Sequence, residues 1–315
     1  MSSVATWLAL GAGLLLTRRA LRGTNTPGKA PWWVADPCVA SEVGRLQLAI
    51  MMGVWTILTS FPRLIARLLF EPKSRCYYDV AEYPGVEGLV ALTIDDAFCR
   101  QSQRECSLIE PLRWLLASNG ARATFFCTLN FCTGTWREHQ IEALLEDGHE
   151  LANHCIEDRP YHRDSEEEFE RAFDATDAWI KRQGRKRLFS KAPISPGTRW
   201  FRAPCGMLSD TMLRVVQRKG ATSVLTDCYA DDCHIPRPRF IAWAMCRRVT
   251  HGSILILHMP EVGFREWGLE SIRLVLDDLK ERGLRAVTLS ELAAAAASAS
   301  KEAACSRNER REAQL

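Results

Sequence analysis

This chain lacks an excess of charge of either sign. Its 315 residues carry 41 basic and 38 acidic side chains, a net charge of +3, which gives no electrostatic case for nucleic acid as a partner. No CxxC pair occurs among its 12 cysteines, whose nearest spacings are Cys127/Cys132 and Cys228/Cys233, so a zinc ribbon fails on spacing. They are too sparse for a disulfide scaffold and do not distinguish an oxidising from a reducing compartment. A glycine-rich phosphate loop is missing too. The first β-rich run, Leu89 to Ile94, leads into Asp95-Asp96-Ala97, acidic where a nucleotide site needs backbone amides, and this disfavours Rossmann and P-loop enzymes. No internal repeat is visible.

What is present is unevenly placed. Residues 1–17 are uncharged and are followed by Arg18, Arg19 and Arg22; a second uncharged run, 46–61, stops at Pro62-Arg63. Each falls short of the ~20 residues that cross a hydrocarbon core comfortably. The first has no positive n-region ahead of it, so a signal-anchor is preferred to a cleaved signal peptide. If both runs span, the loop between them, with five basic residues against Asp36 and Glu42, faces the cytosol and the rest of the chain faces a lumen or the exterior. The alternative is that 46–70 is an interfacial or packing helix.

From residue 88 onward, seven β-rich runs alternate with six segments of helical spacing, and Gly120, Gly148, Gly184, Gly220 and Gly283 stand at or just past the ends of five of them. This pattern means βα units and a parallel sheet, here a distorted (β/α)7 barrel, with an open doubly wound sheet as runner-up. The expected organisation is a membrane-associated helical head at 1–86, one barrel domain at 87–292 and a frayed tail at 293–315.

Groups able to do chemistry gather at the carboxyl ends of these strands, the catalytic face of a barrel. Asp95 and Asp96 end the first, His154 the third, Arg202 lies near the end of the fourth, and Asp227 ends the fifth with Asp231 and Asp232 just beyond. His258 ends the sixth. Asp96, His154 and Asp158 would make a mixed N/O metal site with positions open to water. His258 is placed to give a proton to a leaving group, with Asp232 or Asp227 holding its tautomer. Arg202, a cation among apolar neighbours, is expected to pair with Asp95. His149 reads as a satisfied core residue.

These residues resemble the polysaccharide deacetylases with a NodB-homology domain, whose metal-dependent members remove N- or O-acetyl groups from chitin, peptidoglycan or xylan. Five motifs stand in that family's order between Leu89 and Leu292: Thr93-Ile94-Asp95-Asp96-Ala97, Gly148-His149-Glu150-Leu151-Ala152-Asn153-His154 through Asp158, Phe201-Arg202-Ala203-Pro204-Cys205-Gly206, the Asp227 to Asp232 segment, and Leu255-Ile256-Leu257-His258. The resemblance implies Asp95 as general base, Asp96 and His154 as metal ligands, and Arg202 as orienter of the base. It further implies His258 as general acid assisted by an aspartate of the fourth motif, and the backbone amide of Cys205 as oxyanion donor. Asp158 replaces the family's second histidine ligand. The implied cofactor is a divalent metal, zinc first, with the harder ligand set leaving room for manganese, cobalt or iron.

The expectation is a membrane-anchored deacetylase acting on an N-acetylglucosamine-containing polysaccharide in the secretory lumen or outside the cell. Two rivals are a hydrolase of small amides or imides on the same barrel and a non-catalytic glycan-binding or scaffold protein.

Overall fold

A computed structural model describes residues 42–70, 73–186 and 199–298. Seven parallel strands form one curled sheet: β1 (Leu89–Ala97), β2 (Thr124–Cys127), β3 (Glu150–Asn153), β4 (Arg199–Phe201), β5 (Ala221–Ser223), β6 (Ile254–His258) and β7 (Arg285–Val287). Their spatial order is β5-β4-β3-β2-β1-β6, with β7 also on β1. β1 is therefore central, and eight of its nine residues are buried, as both faces of a parallel sheet must be. The helices α3 (Ile109–Ser118), α4 (Thr135–Glu146), α5 (Glu166–Lys186), α6 (Asp210–Arg218), α7 (Pro238–Cys246) and α8 (Trp267–Glu281) fill the crossovers.

The sheet is not a closed barrel, because β5 and β6 do not pair directly. Their gap is bridged from two directions. After β5 the chain crosses over, so that Cys228 makes a parallel bridge to Leu255 of β6. Residues 75–78 then run through the opening, with Arg75 bridged to Val224 and Tyr77 to Ser253. This approach is so close that a Cβ on Gly252 would lie 1.8 Å from the Tyr78 carbonyl oxygen, so only glycine fits there. The fifth strand consequently ends at Ser223, earlier than the apolar run to Asp227 suggests. Gly184 lies inside α5 rather than beyond its end.

The second uncharged run folds as α1 (Glu42–Leu58), which breaks before α2 (Pro62–Leu69) with a bend of 85°. No single helix among the described residues is long and apolar enough to cross a membrane, so a straight span over 46–61 is not what forms. Met51, Met52 and Trp55 instead pack on the main core. The Trp55 indole meets the Tyr229 ring edge-on at 5.0 Å and donates Nε1–H to Asp231 Oδ2 at 3.0 Å. An apolar row on these helices stays outside, with Leu46, Ile50, Ile57, Phe61, Leu64 and Leu68 exposed. The expected span 1–17 lies outside the described residues. At the other end residues 289–298 are helical and bury Leu292 and Ala296 against the sheet.

Candidate active site

Parallel register brings the first and last strand-end groups together. Asp95 and His258 are Cα partners across the β1/β6 ladder. Asp96, the next residue, has φ +54°, a left-handed turn that an aspartate tolerates better than most residues. The twist sends the two adjacent carboxylates in different directions, which an extended strand could not do within one mouth.

Asp95 faces Arg202. The buried guanidinium donates from Nη1 to Asp95 Oδ1 at 2.5 Å and to Thr93 Oγ1 at 2.8 Å, while Nε and Nη2 bind the carbonyls of Val224 and Leu225 at 3.3 and 3.2 Å. Its face lies 4.0 Å from the Phe126 ring centroid. Every part of the guanidinium is thereby fixed, and the expected pair forms.

His258 sits on Asp232. Nδ1 lies 2.9 Å from Oδ1, and the backbone N–H of His258 donates to Oδ2 at 2.7 Å. A Cys233 sulfur lies within 4.8 Å of the ring and of that carboxylate. Burial disfavours a charged imidazole, and Cys233 and Asp232 work against it, so that His258 lies above its usual pKa. Asp227, the other candidate partner, is elsewhere: it accepts from Ile254 N–H at 3.0 Å, Ser253 Oγ at 2.9 Å and Arg63 Nε at 3.2 Å. Its role is to pin α2 and β6 together.

The expected metal ligands meet a different arrangement. His154 Nδ1 binds the Arg202 carbonyl oxygen at 2.8 Å, which leaves Nε2 directed at Asp96 Oδ1, 3.6 Å away. Asp96 Oδ2, however, accepts from Arg265 Nη1 at 2.6 Å and Arg100 Nη2 at 3.2 Å, and the same Arg100 nitrogen binds Asp158 Oδ2 at 3.2 Å. Burial opposes ionisation of Asp96, and Arg265 and Arg100 outweigh it, holding the carboxyl far below the usual range. Asp96, His154 and Asp158 therefore do not fit a divalent ion as they stand. The three donors do not converge, and two guanidinium groups neutralise the carboxylate that would lead the binding. In this arrangement Asp96 and Asp158 bind arginine, and His154 Nε2 is left facing Asp96.

Sequence reasoning missed Arg100, Arg265 and the residues that seat them. Arg100 lies between two rings, 4.8 Å from the Phe131 centroid and 4.3 Å from that of Phe264. Arg265 packs on Phe264 at 4.8 Å. Buried Glu261 accepts from the backbone N–H of Arg100 and Gln101, both at 3.2 Å. A tight turn closed by Glu261 and Phe264, which exchange backbone bonds at 2.9 and 3.0 Å, delivers Arg265 in the left-handed region at φ +54°. The available signal was a count of carboxylates at the strand ends with only Arg202 to offset them.

Cys205 has φ +58° in a tight turn after Pro204 and lies at the surface. His149 is buried and accepts from the Ala123 N–H at 3.1 Å, as a core histidine should. Five non-glycine residues with positive φ are Asp96, Cys155, Cys205, Asp231 and Arg265. Asp96 lies at the end of β1, and Cys155 and Cys205 come shortly after β3 and β4.

Residues 83–224 match the family described as polysaccharide deacetylase. A peptidoglycan-N-acetylglucosamine deacetylase of Bacillus cereus is 27% identical over 217 residues, covering 68% of this chain and 92% of that protein. Among solved structures, a peptidoglycan N-acetylglucosamine deacetylase aligns with TM-score 0.57 and 17% identity over 70% of this chain and 92% of its own. A CE4 family pseudoenzyme from Bacillus anthracis aligns with TM-score 0.52 and 18% identity over 65% of each chain, so this chain spans slightly under two thirds of that protein. At these identities the solved structures share the fold.

Proposed function

We propose, for a chain whose residues 83–224 match the polysaccharide deacetylase family, that it hydrolyses the acetamido group of an N-acetylglucosamine-containing polysaccharide, a carbon–nitrogen bond that is not a peptide bond. The observation that carries this reading is the pairing of Asp95 opposite His258 across β1 and β6, each held by its own charged partner, Arg202 and Asp232. A base and an acid facing one another on neighbouring strands suit addition of water followed by expulsion of an amine.

In the first step Asp95 takes a proton as water oxygen bonds to the acetyl carbon. In the second the carbon–nitrogen bond breaks, and His258 gives its proton to the departing nitrogen. The products are acetate and a free amino sugar, and Asp95 and His258 exchange protons with solvent to reset. Arg202 holds and aims Asp95; Asp232 orients His258 and favours its charged form. Acetate release from N-acetylglucosamine oligomers, set against a panel of small amides and imides, tests substrate and reaction together. Asp95→Asn is expected to remain folded and lose at least about 100-fold in turnover; turnover like wild type would sink the mechanism.

The polymeric substrate and the exposed apolar row of α1 and α2 support a domain that works at a membrane surface, in a secretory lumen or outside the cell. Co-sedimentation with lipid vesicles should be lost in Ile57→Glu/Leu68→Glu; binding that survives both changes removes this seat.

A further inference from the structure

We infer that Arg100 and Arg265 are the resident cations of this mouth and stand in the place of a divalent metal, so that the chain works without one. The inference rests on the deacetylase reading for its chemistry, but its geometry stands independently. Each carboxylate at the mouth already has a cation: Asp95 has Arg202, Asp96 has Arg265 and Arg100, Asp158 and Glu261 share Arg100, and Asp232 has His258. Seating a divalent ion on buried Asp96 would put two more positive charges beside two guanidinium groups, and like charges at that range repel.

The arginines are built in. Phe131 and Phe264 clamp one of them, Phe264 also backs the other, and the Glu261–Phe264 turn fixes both. Arg265 is nine-tenths buried and uses Nη1 on Asp96, while its Nε has no hydrogen-bond partner among the described residues. A buried N–H without a partner is costly unless something binds it. In the deacetylase reading, the group that would bind it is the acetyl oxygen, which gathers negative charge as water adds. Arg265 would then supply the oxyanion stabilisation that the family's metal otherwise gives.

The test is metal uptake, measured apart from catalysis. Purified full-length protein is titrated with Zn²⁺, Mn²⁺ and Co²⁺ against a chromophoric chelator, and bound metal is counted after gel filtration. No stoichiometric uptake is expected from wild type, whereas Arg100→Gln/Arg265→Gln, checked as folded by near-ultraviolet circular dichroism, should take one equivalent that a further Asp96→Asn removes. Stoichiometric binding by wild type that Asp96→Asn abolishes overturns the inference, and so does a folded double variant that takes no metal. If the double variant does not fold, the wild-type titration decides alone. Acetate release is assayed in parallel: release that survives dialysis against a chelator supports the inference, and release that requires added metal overturns it. Absence of acetate under every condition removes the deacetylase reading and leaves the metal result standing.

Discussion

Replacing Asp227 by asparagine should make the protein more stable near neutral pH and not in acid. Burial pushes this carboxyl up from 3.8 to about 6, against the pull of Arg63 and of the N–H and O–H groups of Ile254 and Ser253. The folded state thus binds the proton more tightly than the unfolded chain does. Stability from this group is fully present below the unfolded value and is lost as pH rises through about 6. At ~1.4 kcal/mol per pH unit, the rise amounts to about 3 kcal/mol of burial cost borne by the ionised carboxylate at neutral pH. Asparagine keeps the shape and an oxygen for the Ile254 N–H. Its amide faces Arg63 Nε unfavourably, at about 1 kcal/mol, since Arg63 is partly exposed and keeps its bond to the His251 carbonyl. Urea denaturation of both proteins at about pH 4 and about pH 7.5, with matched slopes, measures the difference. The variant should gain roughly 2 to 3 kcal/mol on wild type across that range, and about 2 kcal/mol net at the upper end. A difference independent of pH, or one that favours wild type as pH rises, would show that Arg63 holds Asp227 ionised and that the reasoning is wrong.

Two other substitutions probe the site's charge pairs. Asp232→Asn removes the charge that, with Cys233, keeps His258 protonated, so the alkaline limb of acetate release should move down by about 1 pH unit or more; an unmoved limb would take His258 out of the acid role. Arg202→Met leaves buried Asp95 without its cation and strands the Val224 and Leu225 carbonyls, costing about 3–5 kcal/mol by urea denaturation. Most of that loss should return in Asp95→Asn/Arg202→Met, and a double variant no better than the single would deny the pairing.

Six of the seven strands and the six crossover helices among the described residues were legible from residue 88 onward, because a buried parallel sheet writes continuous apolar runs and its crossover helices write a different period; the fifth run, which ended at Asp227, lies mostly past β5. The closure was not. Whether β5 and β6 pair depends on residues 75–78, four positions that carry no strand pattern and act through the Arg75–Val224 and Tyr77–Ser253 bridges and the close approach of Tyr78 to Gly252. Similarly, the uncharged run 46–61 says how apolar a helix is without saying what lies beside it. Met51, Met52 and Trp55 face the domain core while Leu46, Ile50 and Ile57 face away, so hydropathy alone could not separate a span from a packing helix with one face left bare.

At the site, strand ends gave Asp95, Asp96, His154, Arg202 and His258 because a parallel sheet delivers every carboxyl end to one rim. Arg100 and Arg265 come from loops, where no periodicity marks direction, and their positions depend on a turn at Glu261–Phe264 and on two phenylalanine faces. The sequence placed Asp96, His154 and Asp158 at one rim and read them as metal ligands, while the structure sets two arginines beside the two carboxylates. A buried carboxylate requires positive charge nearby but does not choose between an ion and a guanidinium. What chooses is whether donors converge on a point or spread along a plane. Here Asp96 and Asp158 both bind the same Nη2 of Arg100, leaving the planar fork of Arg265 on Asp96 with its Nε unused. A guanidinium that meets a carboxylate through one nitrogen keeps other N–H donors, and in Arg265 the buried Nε is such a donor.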